Sequence, residues 1–249
     1  MITPSPPVTT FESPDDATGS RMVPTRLRHL GVDASPPPVA PVRLAVLLSG
    51  TGRSLANLLA VIARGDLDAQ IVAVVSSVAG AGGLTVAREA GIPALTVSRR
   101  AFPDGAAYSE AIYRAVAPAR PSLLVLAGFL RKLVVPDALA GRILNIHPAL
   151  LPEASYAAGR GFYGERVHAA VLARGATESG ATVHVVDNGY DTGPVVLRAR
   201  VRVEPGDTAA TLGQRVFAAE CALYPEAIRR HVATLSGTDA GVDPWSAWS

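Results

Sequence analysis

The pattern of polar and apolar positions changes character at residue 42. Residues 1–41 show no sustained apolar periodicity and are broken by Pro6-Pro7 and Pro36-Pro37-Pro38. Such a stretch buries too little apolar surface to offset its ordering entropy, so it is expected to be a disordered Pro-rich leader. From Val42 a mostly apolar run to Leu48 leads into a glycine-rich turn and a helical pattern from Ser54 to about Arg64. The same order then repeats. Ile71 to Val75 reads as strand, Leu84 to Ala90 as helix, Ala94 to Val97 as strand, Ala106 to Val116 as helix and Leu123 to Ala127 as a fully apolar strand. Near-continuous apolar strands alternating with helices predict an α/β domain with a mostly parallel sheet covered by helices on both faces. Leu144 to Ile146 is the next strand and Phe162 to Arg174 a helix; Gly180 to Val186 and Pro194 to Val203 are two strands able to pair, and Thr208 to Val232 is the last helix. Residues 42–234 are therefore expected to form one domain, with 235–249 a flexible tail.

Composition narrows the classes. The 249 residues carry a formal net charge of only +2 with the basic side chains scattered, so no electrostatic footprint for nucleic acid or an acidic membrane is present. The cluster Arg26, Arg28 and His29 reads as a solvated charge group, and Met22 is an alternative start. A single cysteine, Cys221, allows no internal disulfide. No segment has the order of a signal peptide, and no uncharged run reaches the roughly 18 residues needed to span a bilayer. A cytoplasmic protein is expected.

Three polar clusters interrupt the apolar pattern. The first, Ser49-Gly50-Thr51-Gly52-Arg53-Ser54, lies between a strand and a helix, where backbone N–H groups close around an anion. Leu55 stands where a dinucleotide fingerprint needs glycine, and the Gly-Lys-Ser/Thr of a P-loop is absent, so phosphate or an unliganded tight turn remain the readings. In the second, Asn145-Ile146-His147-Pro148, strand alternation points Asn145 and His147 to one side. Asparagine offers a donor to a developing oxyanion, and histidine carries or releases a proton near neutral pH. The third, Asp187-Asn188-Gly189-Tyr190-Asp191-Thr192-Gly193-Pro194, is a turn between two strands. Asp191 is either an ordinary turn carboxylate or a partner that faces His147 and keeps it protonated. His168 and His184 fit structural roles, Cys221 a small hydrophobe and Glu220 a solvated helical charge. No metal site is expected.

Taken together with Leu126-Ala127-Gly128-Phe129-Leu130-Arg131, Gly180-Ala181-Thr182-Val183-His184 and Glu220-Cys221-Ala222-Leu223-Tyr224-Pro225, these clusters resemble the folate-dependent phosphoribosylglycinamide (GAR) formyltransferases of the formyltransferase superfamily, over roughly Val42 to Val232. The resemblance implies a Rossmann-like fold and de novo purine biosynthesis by formyl transfer from 10-formyltetrahydrofolate to the GAR amine, in a monomer or homodimer. It implies Asn145, His147 and Asp191 as the catalytic trio, with Gly50, Thr51 and Gly52 at the phosphate and Glu220 at the ribose. The folate would meet Phe129, Leu130, Arg131, Leu133, Asn145, Asn188, Gly189 and Tyr190. Two features depart from the family pattern. Arg53-Ser54 replaces the common Ser-Asn, and 153–164 is longer than in short members, as a surface insertion or a mobile lid. The rival functions are a formyltetrahydrofolate deformylase, a sugar-nucleotide or methionyl-tRNA formyltransferase, and a non-enzymatic phosphometabolite-binding module.

Overall fold

The computed structural model describes residues 11–14, 40–235 and 243–248. In chain order they form β1 (Phe11–Glu12), β2 (Val42–Leu48), α1 (Arg53–Ala63), β3 (Ala69–Ser76), α2 (Gly82–Glu89), β4 (Ala94–Thr96), α3 (Gly105–Val116), β5 (Leu123–Leu126), β6 (Ile143–His147), α4 (Glu165–Ala173), β7 (Glu178–Val185), β8 (Val195–Arg202) and α5 (Ala209–Leu235). The strands make one sheet in the order β1-β8-β7-β6-β5-β2-β3-β4. The run from β6 to β4 is parallel, while β7, β8 and β1 add antiparallel. The sheet is mostly parallel as expected, five parallel strands extended by three antiparallel ones, and the two strands predicted to pair are β7 and β8.

Strand alternation builds two cores. Leu44, Val46 and Leu48 of β2 face a cluster covered by α1, α2, α4 and α5, while Ala45 and Leu47 face a second cluster covered by α3. Residues buried on both faces explain why β2, β3 and β5 read as apolar runs rather than alternations. Chain order runs outward to β3 and β4 on one side of β2 and to β5 and β6 on the other. The crevice beyond the carboxyl ends of β2 and β5 is therefore a topological switch point, where open α/β sheets bind ligands.

Two expectations for the termini change. Phe11 and Glu12 of the expected disordered leader pair with Ala199 and Arg198 of β8, and Phe11 packs on the first core. The remaining leader residues, including Met22, Arg26, Arg28 and His29, lie outside the described residues. In the expected flexible tail, Trp245 is 2% exposed and its Nε1 donates to Pro121 O at 2.6 Å. Trp248 packs 5.3 Å from the Tyr113 ring and donates from Nε1 to Glu110. Two indoles that bury their rings and satisfy their N–H groups outweigh the low apolar content around them. Among the described residues no helix is long and apolar enough to cross a membrane.

A candidate active site at the carboxyl ends of the strands

A cleft of about 1170 Å³ opens at the switch point. One end is made of backbone. Gly52 takes φ 84° as the N-cap of α1, a conformation that favours glycine, and a Cβ there would overlap the Gly83 backbone. The first turn of α1 has no acidic residue, and its N-cap supplies no side-chain hydrogen bond, so its N–H groups face the cleft without an internal anion. Arg53 lies beside them, exposed, with its guanidinium 3.8 Å over the Phe217 ring of α5.

Glu220 reaches this end through a defect in α5. Pro225 has no N–H to give the Cys221 carbonyl one turn back, and Asn57 Nδ2 of α1 donates to that oxygen instead, at 2.8 Å. The Tyr224 hydroxyl fixes the same turn against Leu126 O and Leu144 O of β5 and β6. Glu220 is thereby half-buried in the cleft wall rather than solvated as its helix position suggested. Burial pushes its carboxyl up to about 7, with the Arg53 charge opposing. Cys221 beside it is half-buried.

The other end is made of side chains. Asn145 pairs with His184 across β6 and β7, and His147 pairs with Thr182, so alternation sends all four side chains to the same face. Thr182 Oγ1 donates to Ala149 O and accepts from Leu151 N, which pins the chain after His147. Asp191 takes φ 54°, a left-handed conformation that aspartate tolerates better than most residues. Its loop is held by Asp187 Oδ1, which accepts from Gly189 N and Thr192 Oγ1. The Asp191 carboxylate then lies 3.8 Å from His147 Nδ1 and 3.5 Å from His184 Nε2. Asn145 Nδ2 donates to Asp191 Oδ1 at 3.3 Å and lies 3.1 Å from His184 Nε2. An amide turned the other way would set its oxygen against a carboxylate, which fixes this orientation.

Charge is unequally shared in this cluster. Burial alone would raise the Asp191 carboxyl; hydrogen bonding with His184, the nearby His147 and the Gly159 N–H hold it below the usual carboxylate range instead. Burial lowers the His147 pKa, while Asp191 and the Ala157 carbonyl pull it upward less strongly. Asp191 thus faces His147 and favours its protonated form, as one of the two readings expected, and burial opposes it. With only 4% of it exposed, His147 is shifted toward its uncharged form relative to an imidazole in water. Its Nε2–H donates to Ala157 O at 2.9 Å, which leaves Nδ1 to receive a proton on the side facing Asp191.

Residues 153–164 are neither a plain surface insertion nor a detached lid. Ala154 and Ala157 are buried, Ala157 O accepts from His147, and Gly159 N donates to Asp191 Oδ2 at 2.9 Å. The segment clasps both titrating partners.

Between the two ends run Phe129, Leu130, Arg131 and Leu133, all lining the cleft. Leu130 N donates to Ser49 Oγ, which ties this segment to the glycine turn. Phe129 and Leu133 are buried, whereas Leu130 and Tyr190 stay open across the mouth, Tyr190 under the Lys132 ammonium. Gly189, Tyr190 and Asp191 line the cleft, as do Gly50, Thr51, Gly52, Asn145, His147 and Glu220. Asn188 does not. Its Oδ1 accepts from Val135 N and its Nδ2 donates to Val135 O, so both ends of its amide are spent joining two loops. His184 was missed as a partner of the trio; the β6–β7 register, which sequence alone does not supply, places it there. His168 also lines the cleft, buried against Gly213, with burial lowering its pKa. Among the described residues no His, Cys, Asp and Glu group is arranged to hold a metal ion.

Comparison with known proteins identifies the family and the fold. Residues 42–228 match the family described as formyl transferase. The trifunctional purine biosynthetic protein adenosine-3 of Drosophila pseudoobscura pseudoobscura is 42% identical over 191 residues, which are 75% of this chain and 13% of that much longer protein. The phosphoribosylglycinamide formyltransferase of Mycobacterium tuberculosis is 42% identical over 196 residues, 77% of this chain and 86% of that one. Among solved structures, glycinamide ribonucleotide transformylase 1 from Symbiobacterium toebii superposes with a TM-score of 0.70 at 37% identity, covering 76% of this chain and 87% of that chain.

Proposed function

Since the chain belongs to the formyl transferase family, we propose that it transfers the formyl group of 10-formyltetrahydrofolate to the amine of 5'-phosphoribosylglycinamide in purine biosynthesis. One observation carries the reading: an anion-ready helix start and a partly buried Asn–His–Asp cluster open into the same cleft, with Phe129 to Leu133 between them. GAR has a phosphate at one end and an amine at the other, and the cleft offers a matching site for each. Gly50, Thr51 and Gly52 hold the phosphate through backbone donors, and Glu220 accepts from the ribose hydroxyls. The folate lies against Phe129, Leu130, Arg131 and Leu133, with Gly189 and Tyr190 opposite. Its formyl carbon faces Asn145 and His147.

The amine nitrogen attacks the formyl carbon, forming a carbon–nitrogen bond and an oxyanion. The amine gives up a proton and the folate nitrogen takes one as its bond to the formyl carbon breaks. His147 Nδ1 is the open proton site, and the Asp191 charge 3.8 Å away stabilises the imidazolium once it forms. That charge arises only during the reaction, so it stabilises the tetrahedral state rather than the substrate complex. Asn145 Nδ2 supplies a donor to the oxyanion by releasing its longer contact, to Asp191.

Purified protein supplied with 10-formyltetrahydrofolate is expected to form formyl-GAR only when GAR is present, as followed by appearance of tetrahydrofolate and of the formylated product. Formate release that is indifferent to GAR would replace this reading with that of a deformylase.

A further inference from the structure

The clasp over the catalytic cluster is itself held from the edge of the sheet. Arg198 and Arg200 are two residues apart on β8 and present their guanidinium groups on one face. Arg198 Nη1 donates to Leu151 O at 3.2 Å and to Glu153 Oε1 at 2.6 Å, at the start of the clasp. Arg200 Nη1 donates to Glu178 on the neighbouring strand, and its Nη2 lies 3.9 Å from Glu153. Two like charges this close repel unless a further carboxylate lies between them. Glu12 of β1 fills that position, accepting from Arg200 Nε at 2.8 Å and lying 3.5 Å from Arg198 Nη2. It sits opposite Arg198 in the strand register, and β1 covers an edge that β8 would otherwise leave open. Glu12 lies outside residues 42–228, the span matched to the family.

We propose that Glu12 is a positioning residue for the catalytic cluster, acting through Arg198 and Glu153 on the segment whose Ala157 carbonyl orients His147 and whose Gly159 N–H holds Asp191. The chain of contacts is continuous. Glu12 fixes the Arg198 guanidinium, Arg198 fixes Leu151 and Glu153, and within six residues the backbone reaches both catalytic partners. Glu12 itself does not line the cleft and makes no contact with the glycine turn, so its loss loosens the reacting end without altering the phosphate end. The groups involved are partly exposed, and such ion pairs are modest. The expected change is therefore a fraction of what removing His147 produces.

This inference rests on the formyl-transfer reading only for its kinetic arm. In the full-length chain, Glu12→Gln is expected to raise amide hydrogen exchange in residues 153–164 several-fold while exchange in β2, β3 and β5 stays unchanged. The same variant should lower kcat about threefold with KM for GAR within twofold of wild type, and Glu12→Asp, which keeps the charge, should recover most of the loss. Unchanged exchange in 153–164 overturns the proposal, whatever the activity. Equal loss with Glu12→Asp, or slower turnover that tracks a uniform rise in exchange over the whole sheet, overturns it too, since a general stability defect would then account for the effect. Absence of GAR-dependent transfer in the wild-type chain would strike the functional reading while leaving the exchange result to stand or fall by itself.

Discussion

The two ends of the cleft solve different problems with different materials. At the glycine turn the donors are backbone N–H groups at the start of α1, fixed by the φ of Gly52 and by its contact with Gly83. At the reacting end the working groups are the side chains of Asn145, His147, His184 and Asp191, gathered from two strands and a loop and clasped by a fourth segment. Backbone donors persist when side chains change, so Arg53-Ser54 in the turn leaves its N–H groups in place for the proposed phosphate. A cluster of buried polar side chains has no such tolerance, because each member satisfies another and removal of one leaves a buried group unpaired.

The largest test of this contrast is His147→Ala. Turnover is expected to fall by about 10²-fold or more, the scale of general acid–base and oxyanion contributions. KM for GAR should change little, because the proposed phosphate site lies at the opposite end. Steady-state kinetics with GAR varied at saturating folate would show the split, and near-normal kcat would remove His147 from the reacting centre.

The same contrast explains what was legible in the chain. The parallel half was readable because its strands are buried on both faces and so appear as apolar runs, and because glycine between strand and helix has few meanings. Asn145 and His147 were readable as a pair from alternation along one strand. Their link to His184 was not, since it depends on the antiparallel register that sets Asn145 beside His184, and a one-residue slip would turn His184 to the opposite face. Residues 153–164 looked like an insertion because Ala and Gly carry no signal for what their backbone touches, and here the backbone makes the contacts. Glu220 looked solvated for a similar reason: only the Asn57 contact to Cys221 O, compensating for Pro225, shows that this turn is pressed against α1. Asn188 was assigned to the folate by the resemblance alone. Its amide is used within the protein.

Glu220 tests the glycine end from the stability side. Its folded carboxyl is raised to about 7 from an ordinary 4.5, so the folded state holds its proton more tightly than the unfolded chain does. The contribution of this group is therefore favourable only at low pH and is lost as pH rises from 4.5 to 7, after which it stays constant. Glu220→Gln removes the titration. It is expected to leave Tm nearly unchanged at pH 4 and raise it by a few degrees at pH 8, as seen by calorimetry across that range. If the wild type and the variant keep a constant difference at every pH, the burial of this carboxyl does not govern its titration. At the proposed ribose site the variant also exchanges one of two acceptor oxygens for an N–H donor, so KM for GAR should rise even as the fold gains stability, a trade expected of a binding residue.

Arg53 offers the smallest and most discriminating change. In the free protein its charge sits at the positive end of the α1 dipole, an unfavourable placement worth roughly 0.3–1 kcal/mol, against which stacking on Phe217 contributes roughly 0.5–1 kcal/mol. The two nearly cancel, so Arg53→Ser should move Tm by little. A bound phosphate changes the balance, since the anion interacts favourably with both the helix start and the guanidinium, whose planar donors suit phosphate oxygens. KM for GAR is then expected to rise about three- to tenfold, on the scale of a charge-assisted hydrogen bond in a partly solvated site, with kcat held within twofold because the reacting end is untouched. Kinetics at low and high ionic strength would separate the readings: the effect of the substitution should shrink as salt screens the exposed charge. An unchanged KM at low salt would show that the backbone donors bind the phosphate alone and that Arg53 is held by Phe217 for packing.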